Sequence, residues 1–276
     1  MSRKVRISVI AMLCAEFWSS GCDSPQNASQ NLKDPQEKYW APLVNDMDAF
    51  LQVHSKIVNR VESLGGEIKV GGTSPESFWL LIRFSEASEV SDLDLQGLVT
   101  GVKVKLFLEN SRITDSGVEG LDSAENIRFL SLRKTSISDN AMKSVGKMSN
   151  LEGLSLEQTA VTNSGLVALS DLHFLTTLRL SRCDIDSSSM DSIVGIRDLR
   201  ELWLDDTMVS DSGMEILSAL QNLELLSLNG TKITDECVDE IAKFKRLKFL
   251  YVERTGISAN GISQLRNTVM NCKIVE

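Results

Sequence analysis

His54 and His173 are the two imidazoles in this chain of 276 residues. A nucleophilic triad needs a histidine within reach of a serine or cysteine and a third group to orient the ring. His54 falls in a stretch of helical spacing, where the adjoining Ser55 points away from it, and His173 in a connection between elements, so neither is placed to activate a nucleophile. Of the five cysteines, Cys14 and Cys22 belong to the N-terminal leader region, and Cys183, Cys237 and Cys272 form neither a disulfide framework nor a Cys/His metal set. Glu201, Asp205 and Asp206 make an acidic cluster. A hard cation asks for about six converging oxygens, which favours a solvated patch over a metal site. Without a phosphate-binding glycine loop, the residues imply no cofactor and no catalytic site. Recognition is the chemistry left. Trp203, Leu225, Phe249 and Tyr251 are large apolar side chains at positions expected to face solvent, beside Arg179, Arg182, Asp205 and Asp206.

The elements that position these residues repeat. Leu106, Leu130, Leu154, Leu178, Leu202, Leu226 and Leu250 are 24 residues apart, and Leu108, Leu132, Leu156, Leu180, Leu204, Leu228 and Val252 follow in step. Two apolar residues at a spacing of two share one face of a strand, so both point inward while the residues between them face outward. Next comes a small slot, Ser111, Thr135, Thr159, Cys183, Thr207, Thr231 and Thr255, suited to satisfying backbone groups where the strand ends. Ile113, Ile137, Val161, Ile185, Val209, Ile233 and Ile257 then bury the corner.

A helix start follows in each unit. Thr114, Ser138, Thr162, Asp186, Ser210, Thr234 and Ser258 are N-cap types, and Asp115, Asp139, Asp211 and Asp235 place negative charge at the positive end of the helix dipole. Paired apolar positions, Met142 with Val145 and Met214 with Leu217 among them, trace one buried stripe. The spacing predicts strands centred near 106, 130, 154, 178, 202, 226 and 250, and helices beginning near 115, 139, 163, 187, 211, 235 and 259.

The phrase Leu223-x-x-Leu226-x-Leu228-x-x-Thr231-x-Ile233 fits L-x-x-L-x-L-x-x-N/C-x-L with threonine in the N/C slot. The chain thereby resembles leucine-rich repeat proteins, and its L-x-x-L-x-L-x-x-T-x-[IV]-[TS]-D-x-G variant is similar to the short repeats of bacterial, particularly planctomycete-type, members. The resemblance implies an α/β solenoid with a curved parallel sheet on the concave side and short helices on the convex side. Neighbouring turns contact only each other, so the ends need caps.

Four stretches are expected in order. Residues 1–21 resemble a secretory leader: Arg3, Lys4 and Arg6 precede an apolar run from Ile7 to Ala15, and Ser19-Ser20-Gly21-Cys22 resembles the bacterial lipobox, which implies lipid on Cys22. Ser19 replaces the usual leucine and Glu16 interrupts the apolar run, so cleaved export without lipid and a leader without targeting stay open. Residues 22–39 have the polar composition of a tether. Residues 40–78 hold a capping helix, with Leu43, Met47, Phe50, Leu51, His54, Ile57, Val58, Val61 and Leu64 on one face, Gly65-Gly66 as its stop and a lead-in segment. Residues 79–276 are the repeat domain with its C-terminal cap, in which Ile82 and Phe84 occupy the strand slots of an irregular first repeat and Ile274 adds a last strand.

The formal charge of −9 speaks against general nucleic-acid binding. The expected function is a non-enzymatic, monomeric module of the cell envelope that holds a protein or peptide on its concave face and meets the membrane only through a lipid anchor. Ser227 should leave an opening between Trp203 and Tyr251 for a partner's apolar side chain. The alternative is a structural spacer of the envelope with no dedicated partner.

Overall fold

A computed structural model describes residues 46–86, 88, 90–95, 101–121, 124–269 and 271–276. The leader, the tether, Cys22 and the start of the capping helix lie outside the described residues. Ten strands form one sheet in chain order: β1 (Glu67–Gly71), β2 (Trp79–Arg83), β3 (Lys103–Phe107), β4 (Ile127–Ser131), β5 (Gly153–Ser155), β6 (Thr177–Arg179), β7 (Glu201–Trp203), β8 (Leu225–Ser227), β9 (Phe249–Tyr251) and β10 (Lys273–Val275). From β2 onward every pair is parallel. The spacing of 24 becomes the register itself, with Leu130 opposite Leu154, Leu154 opposite Leu178 and Leu250 opposite Ile274.

Inward leucines therefore stack in columns. Leu130, Leu132, Leu154, Leu156, Leu178 and Leu180 are fully buried, as are Met142, Val145, Met214 and Leu217 from the backing helices. Those helices are short, for example Asp139–Val145 and Asp211–Leu217. In two repeats the first turn is 3-10, at Ser187–Ser189 and Asp235–Cys237, before an α-turn continues it. The small slot closes the strand end as its chemistry requires: Thr135 Oγ1 donates to Leu132 O at 2.6 Å, Thr207 Oγ1 to Leu204 O at 2.6 Å and Thr231 Oγ1 to Leu228 O at 2.6 Å. Cys183 reaches back instead, its Sγ 3.0 Å from Leu156 O in the preceding repeat.

The repeated aspartates do more than complement a dipole. Asp139 accepts from both the backbone N–H and the hydroxyl of Thr162 in the next repeat, each at 2.7 Å. Asp115 holds Ser138, Asp211 holds Thr234 and Asp235 holds Ser258 in the same two-pronged way. Where the aspartate slot carries Asn163, the next cap is Asp186, whose N–H donates to Asn163 Oδ1 at 3.1 Å while Asn163 Nδ2 donates to Asp186 Oδ1 at 2.8 Å. The ladder thus keeps its bonds by exchanging which partner is charged. Cap residues serve the neighbouring repeat at least as much as their own helix: Thr114 and Ser210 make no side-chain bond to their own helix N–H groups.

One feature departs from the sequence expectation and two lie beyond it. The capping helix is interrupted at His54, with residues 46–53 helical before the turn and Ser55–Ser63 after it; Met47, Leu51, Ile57 and Val61 are nonetheless buried on one side. The lead-in segment forms a strand, β1, antiparallel to β2 with Ile68 opposite Ile82, so the sheet begins as a hairpin. Finally, the turn after each of β3 to β9 places one residue in the left-handed region at the same interval, namely Asn110, Lys134, Gln158, Arg182, Asp206, Gly230 and Arg254, with φ of 54–66°. Only one of these is glycine. No helix among the described residues is long and apolar enough to cross a membrane.

Candidate binding face

Outward positions of β6 to β9 bring the recognition residues together on the concave side. Register places Arg179 opposite Trp203, Leu225 opposite Phe249 and Ser227 between Trp203 and Tyr251. Phe249 is 40% exposed, the most open of the four apolar candidates, and Leu225, Trp203 and Tyr251 are half-buried.

The opening expected over Ser227 is closed. Strands two apart are separated by about 10 Å, yet the Trp203 and Tyr251 rings lean together to a centroid distance of 6.0 Å at 23°. Ser227 beneath them has no exposed surface. A serine is too short to hold the flanking rings apart, and stacking removes more apolar area from water than an empty slot would. Arg179 lies on the other side of the indole, its Cζ 5.0 Å from the ring centroid. The result is a stacked unit of guanidinium, indole and phenol. Within it, Trp203 Nε1 and Arg179 Nε are covered by protein and have no hydrogen-bond partner among the described residues.

The acidic candidates part company. Asp205 was expected to frame the patch, but its carboxylate is consumed inside it, accepting from Ser227 Oγ at 2.5 Å, Asn229 N at 3.0 Å and Ser181 Oγ at 3.1 Å. Asp206 sits at the left-handed turn and is clasped from both sides, by Arg182 Nε at 3.1 Å and Arg254 Nη1 at 2.9 Å. The Arg254 bond is the larger cause, and with Arg182 it holds the Asp206 carboxyl below its usual range. Arg254 reaches across two repeats because Gly230 lies between. A Cβ there would stand 2.3 Å from Asp206 Oδ1 and 3.1 Å from Arg254 Nη1. Glu201, the third member of the cluster, is half-buried beside Leu225.

The free thiols are poor nucleophiles. Burial pushes Cys237 up to about 12 and Cys272 up to about 11, and it raises Cys183 as well. Cys183 and Cys237 are small core residues, as their slots imply.

Sequence reasoning missed a second cluster at the other end of the face. Lys105 Nζ lies 4.3 Å from the Trp79 ring centroid, Arg83 Cζ 4.7 Å from that of Phe107, and Phe107 stacks on Phe129 at 5.1 Å. Trp79 belongs to the irregular first repeat, so the ladder of outward slots did not include it. Phe107 and Phe129 occupy different slots and meet diagonally, next to the register shift between Val104 and Lys105.

Comparisons with known proteins agree with this architecture. A family model described as a leucine-rich repeat matches residues 171–194. Two solved structures of internalins from Listeria monocytogenes are similar to the chain. Internalin inlF has a TM-score of 0.55 at 19% identity over 66% of this chain and 49% of its own, so the chain spans about half its length. Internalin C2 has a TM-score of 0.52 at 19% identity over 79% of this chain and 92% of its own. No curated protein matches significantly. At such identities the likeness speaks to architecture, and it coincides with the in-register parallel ladder and the repeated phrase: the chain is a leucine-rich repeat solenoid.

Proposed function

We propose that the chain is a non-enzymatic binding module that holds a protein or peptide against the C-terminal half of its concave face. The carrying observation is that Phe249 keeps 40% of its surface exposed beside Leu225, at an outward slot that other repeats fill with Gly153 or Thr177. Nothing in the folding of the repeat asks for a phenylalanine there. The stacked Trp203 and Tyr251 extend that apolar surface. The unpartnered donors of Trp203 and Arg179 supply polar selectivity once a partner's carbonyl or carboxylate lifts Arg179 off the ring. The Arg182–Asp206–Arg254 clasp borders the surface with fixed charges, which choose among partners more than they add affinity. In this reading Cys22 carries lipid, and residues 22–39 tether the module in the cell envelope.

Photocrosslinking tests the reading. A photoreactive residue replacing Phe249 should capture a specific partner from envelope extracts, and capture should fail when Trp203→Ala is added. The same probe at Glu215 on a backing helix should capture nothing. Adducts from the helix position alone would refute the concave site, and adducts from neither would favour a spacer without a dedicated partner. Release of the chain from membranes by Cys22→Ser tests the anchor separately.

A further inference from the structure

The N-terminal end of the concave face carries a patch of different character. Trp79 and Phe129 lie flat over the neighbouring strand because the residues beneath them are glycines. A Cβ on Gly71 would stand 2.2 Å from the Trp79 ring and one on Gly153 would stand 2.3 Å from the Phe129 ring. Rings lying down in this way turn their faces outward. Lys105 rests on Trp79 at 4.3 Å and Arg83 on Phe107 at 4.7 Å, so the cations are held by ring faces and not by carboxylates.

No ion pair engages Arg83, Lys103 or Lys105 among the described residues, although Lys69 and Glu67 on β1 pair with each other at 3.0 Å. Glu109, one outward slot beyond Phe107, accepts from Ser131 Oγ at 2.9 Å. Three positive charges without a carboxylate partner among the described residues therefore gather on β2 and β3 of a chain whose formal charge is −9. The solenoid does not require them: the slot of Lys105 holds Gly153, Thr177, Glu201 and Leu225 in later repeats, each on the same column of the sheet.

We propose that this patch, made of Arg83, Lys103 and Lys105 on a floor of Trp79, Phe107 and Phe129, binds an acidic segment of a partner polypeptide. Charge complementarity sets the sign. A cation resting on a ring has already shed part of its hydration, so pairing with a carboxylate requires less further desolvation. Polypeptide is favoured over nucleic acid or another extended polyanion because such ligands draw their affinity from many phosphate or sulfate contacts along a basic track. Here the cations free of carboxylates end at β3: Arg128 on β4 and Arg133 just beyond it pair with Glu152 at 3.9 Å and Glu157 at 3.8 Å, and the outward slots of β4 and β5 hold Phe129, Ser131, Gly153 and Ser155. An acidic peptide with interspersed apolar residues matches that succession: its carboxylates meet the cations and its apolar groups lie against Phe107 and Phe129.

The test titrates the full chain with a fluorescent peptide of alternating glutamate and leucine, in parallel with a sulfated polysaccharide and a single-stranded oligothymidylate. Saturable binding to the peptide that weakens as salt rises is expected. Lys105→Glu and Arg83→Glu should each weaken it by about ten-fold or more. Phe249→Ala and Trp203→Ala should leave it unchanged, which separates this patch from the C-terminal face. Lys103 is exposed, so Lys103→Glu provides a variant with an undisturbed fold, checked by circular dichroism, and should also weaken binding. Absence of saturable peptide binding, or binding indifferent to all three charge reversals, overturns the proposal. Tighter binding of the polysaccharide or the oligonucleotide than of the peptide overturns the assignment to a polypeptide.

Discussion

The two faces of each strand obey different rules although they alternate along the same backbone. Inward columns hold Leu130, Leu154, Leu178, Leu202 and Leu226 without variation and without exposed surface. Outward columns one residue away hold Phe129, Gly153, Thr177, Glu201 and Leu225. A turn of the coil can pack on the next only if their inward side chains have matching volume, because the interior is close-packed and each turn relies on its two neighbours. Most outward side chains meet water, and those that do not, such as Ser227 and Gly153, are covered by neighbouring rings and not by the core, so the packing of the coil constrains them less. Variation among repeats thus marks where the chain is free to serve something other than its own folding.

The largest effect should come from breaking an inward column. Leu154→Ala should destabilise by about 2–5 kcal/mol in chemical denaturation, because it opens a cavity between two turns. Loss of a comparable amount in the outward variant Glu157→Ala would erase the distinction between the faces.

Next in size is the outward anchor, read in binding and not in folding. Trp203→Ala should weaken a concave-face partner by about 2 kcal/mol or more in calorimetry, while the fold survives, because the half-buried indole stacks on Tyr251 and Arg179 outside the core. A collapse of the fold in this variant would place Trp203 on the structural side of the comparison.

The staple between repeats should lie just below. Asp139→Ala removes both acceptors of Thr162 and should cost about 1–2 kcal/mol in thermal or denaturant unfolding. No change would reduce the aspartate column to a surface ornament of the caps.

A smaller effect is expected at the clasp. Asp206→Asn should lower stability by under about 1 kcal/mol, since Arg182 and Arg254 are largely exposed. Its pH dependence has a definite sign. The folded carboxyl is held below its ordinary range, so the stabilisation is fully present above the unfolded value and is lost as pH falls through the folded one. The gap between wild type and variant should be constant near neutrality and close only in acid. A gap that widened in acid would contradict the pairing.

Smallest of all is Lys134→Gly. Relief of the left-handed conformation at φ 56° opposes the greater freedom of glycine in the unfolded chain, so a gain of roughly 0.5 kcal/mol or less is expected. A clear loss in denaturant melts would show that the lysine side chain makes a contact worth keeping.

Much of this was legible in advance because the inward pattern is local and periodic. The spacing of Leu106 to Leu250, the small residue at each strand end and the cap that opens each helix are properties of short segments, and repetition turned them into strand register and element starts. Even Ile274 could be placed, since it stands 24 residues beyond Leu250 and pairs with it. What only the tertiary structure decided involves contacts between repeats at positions that the period does not constrain. The carboxylate of Asp139 finds Thr162 only once two turns are stacked, and Asp206 finds Arg254 only because Gly230 lies in the column between them. The closing of Trp203 onto Tyr251 over Ser227, and the laying of Trp79 over Gly71 across an antiparallel hairpin, depend on side-chain rotamers and on a strand outside the repeat. Side chains that face outward are held by whichever neighbours the coil brings beside them, and a one-dimensional pattern carries no information about how far two of them lean.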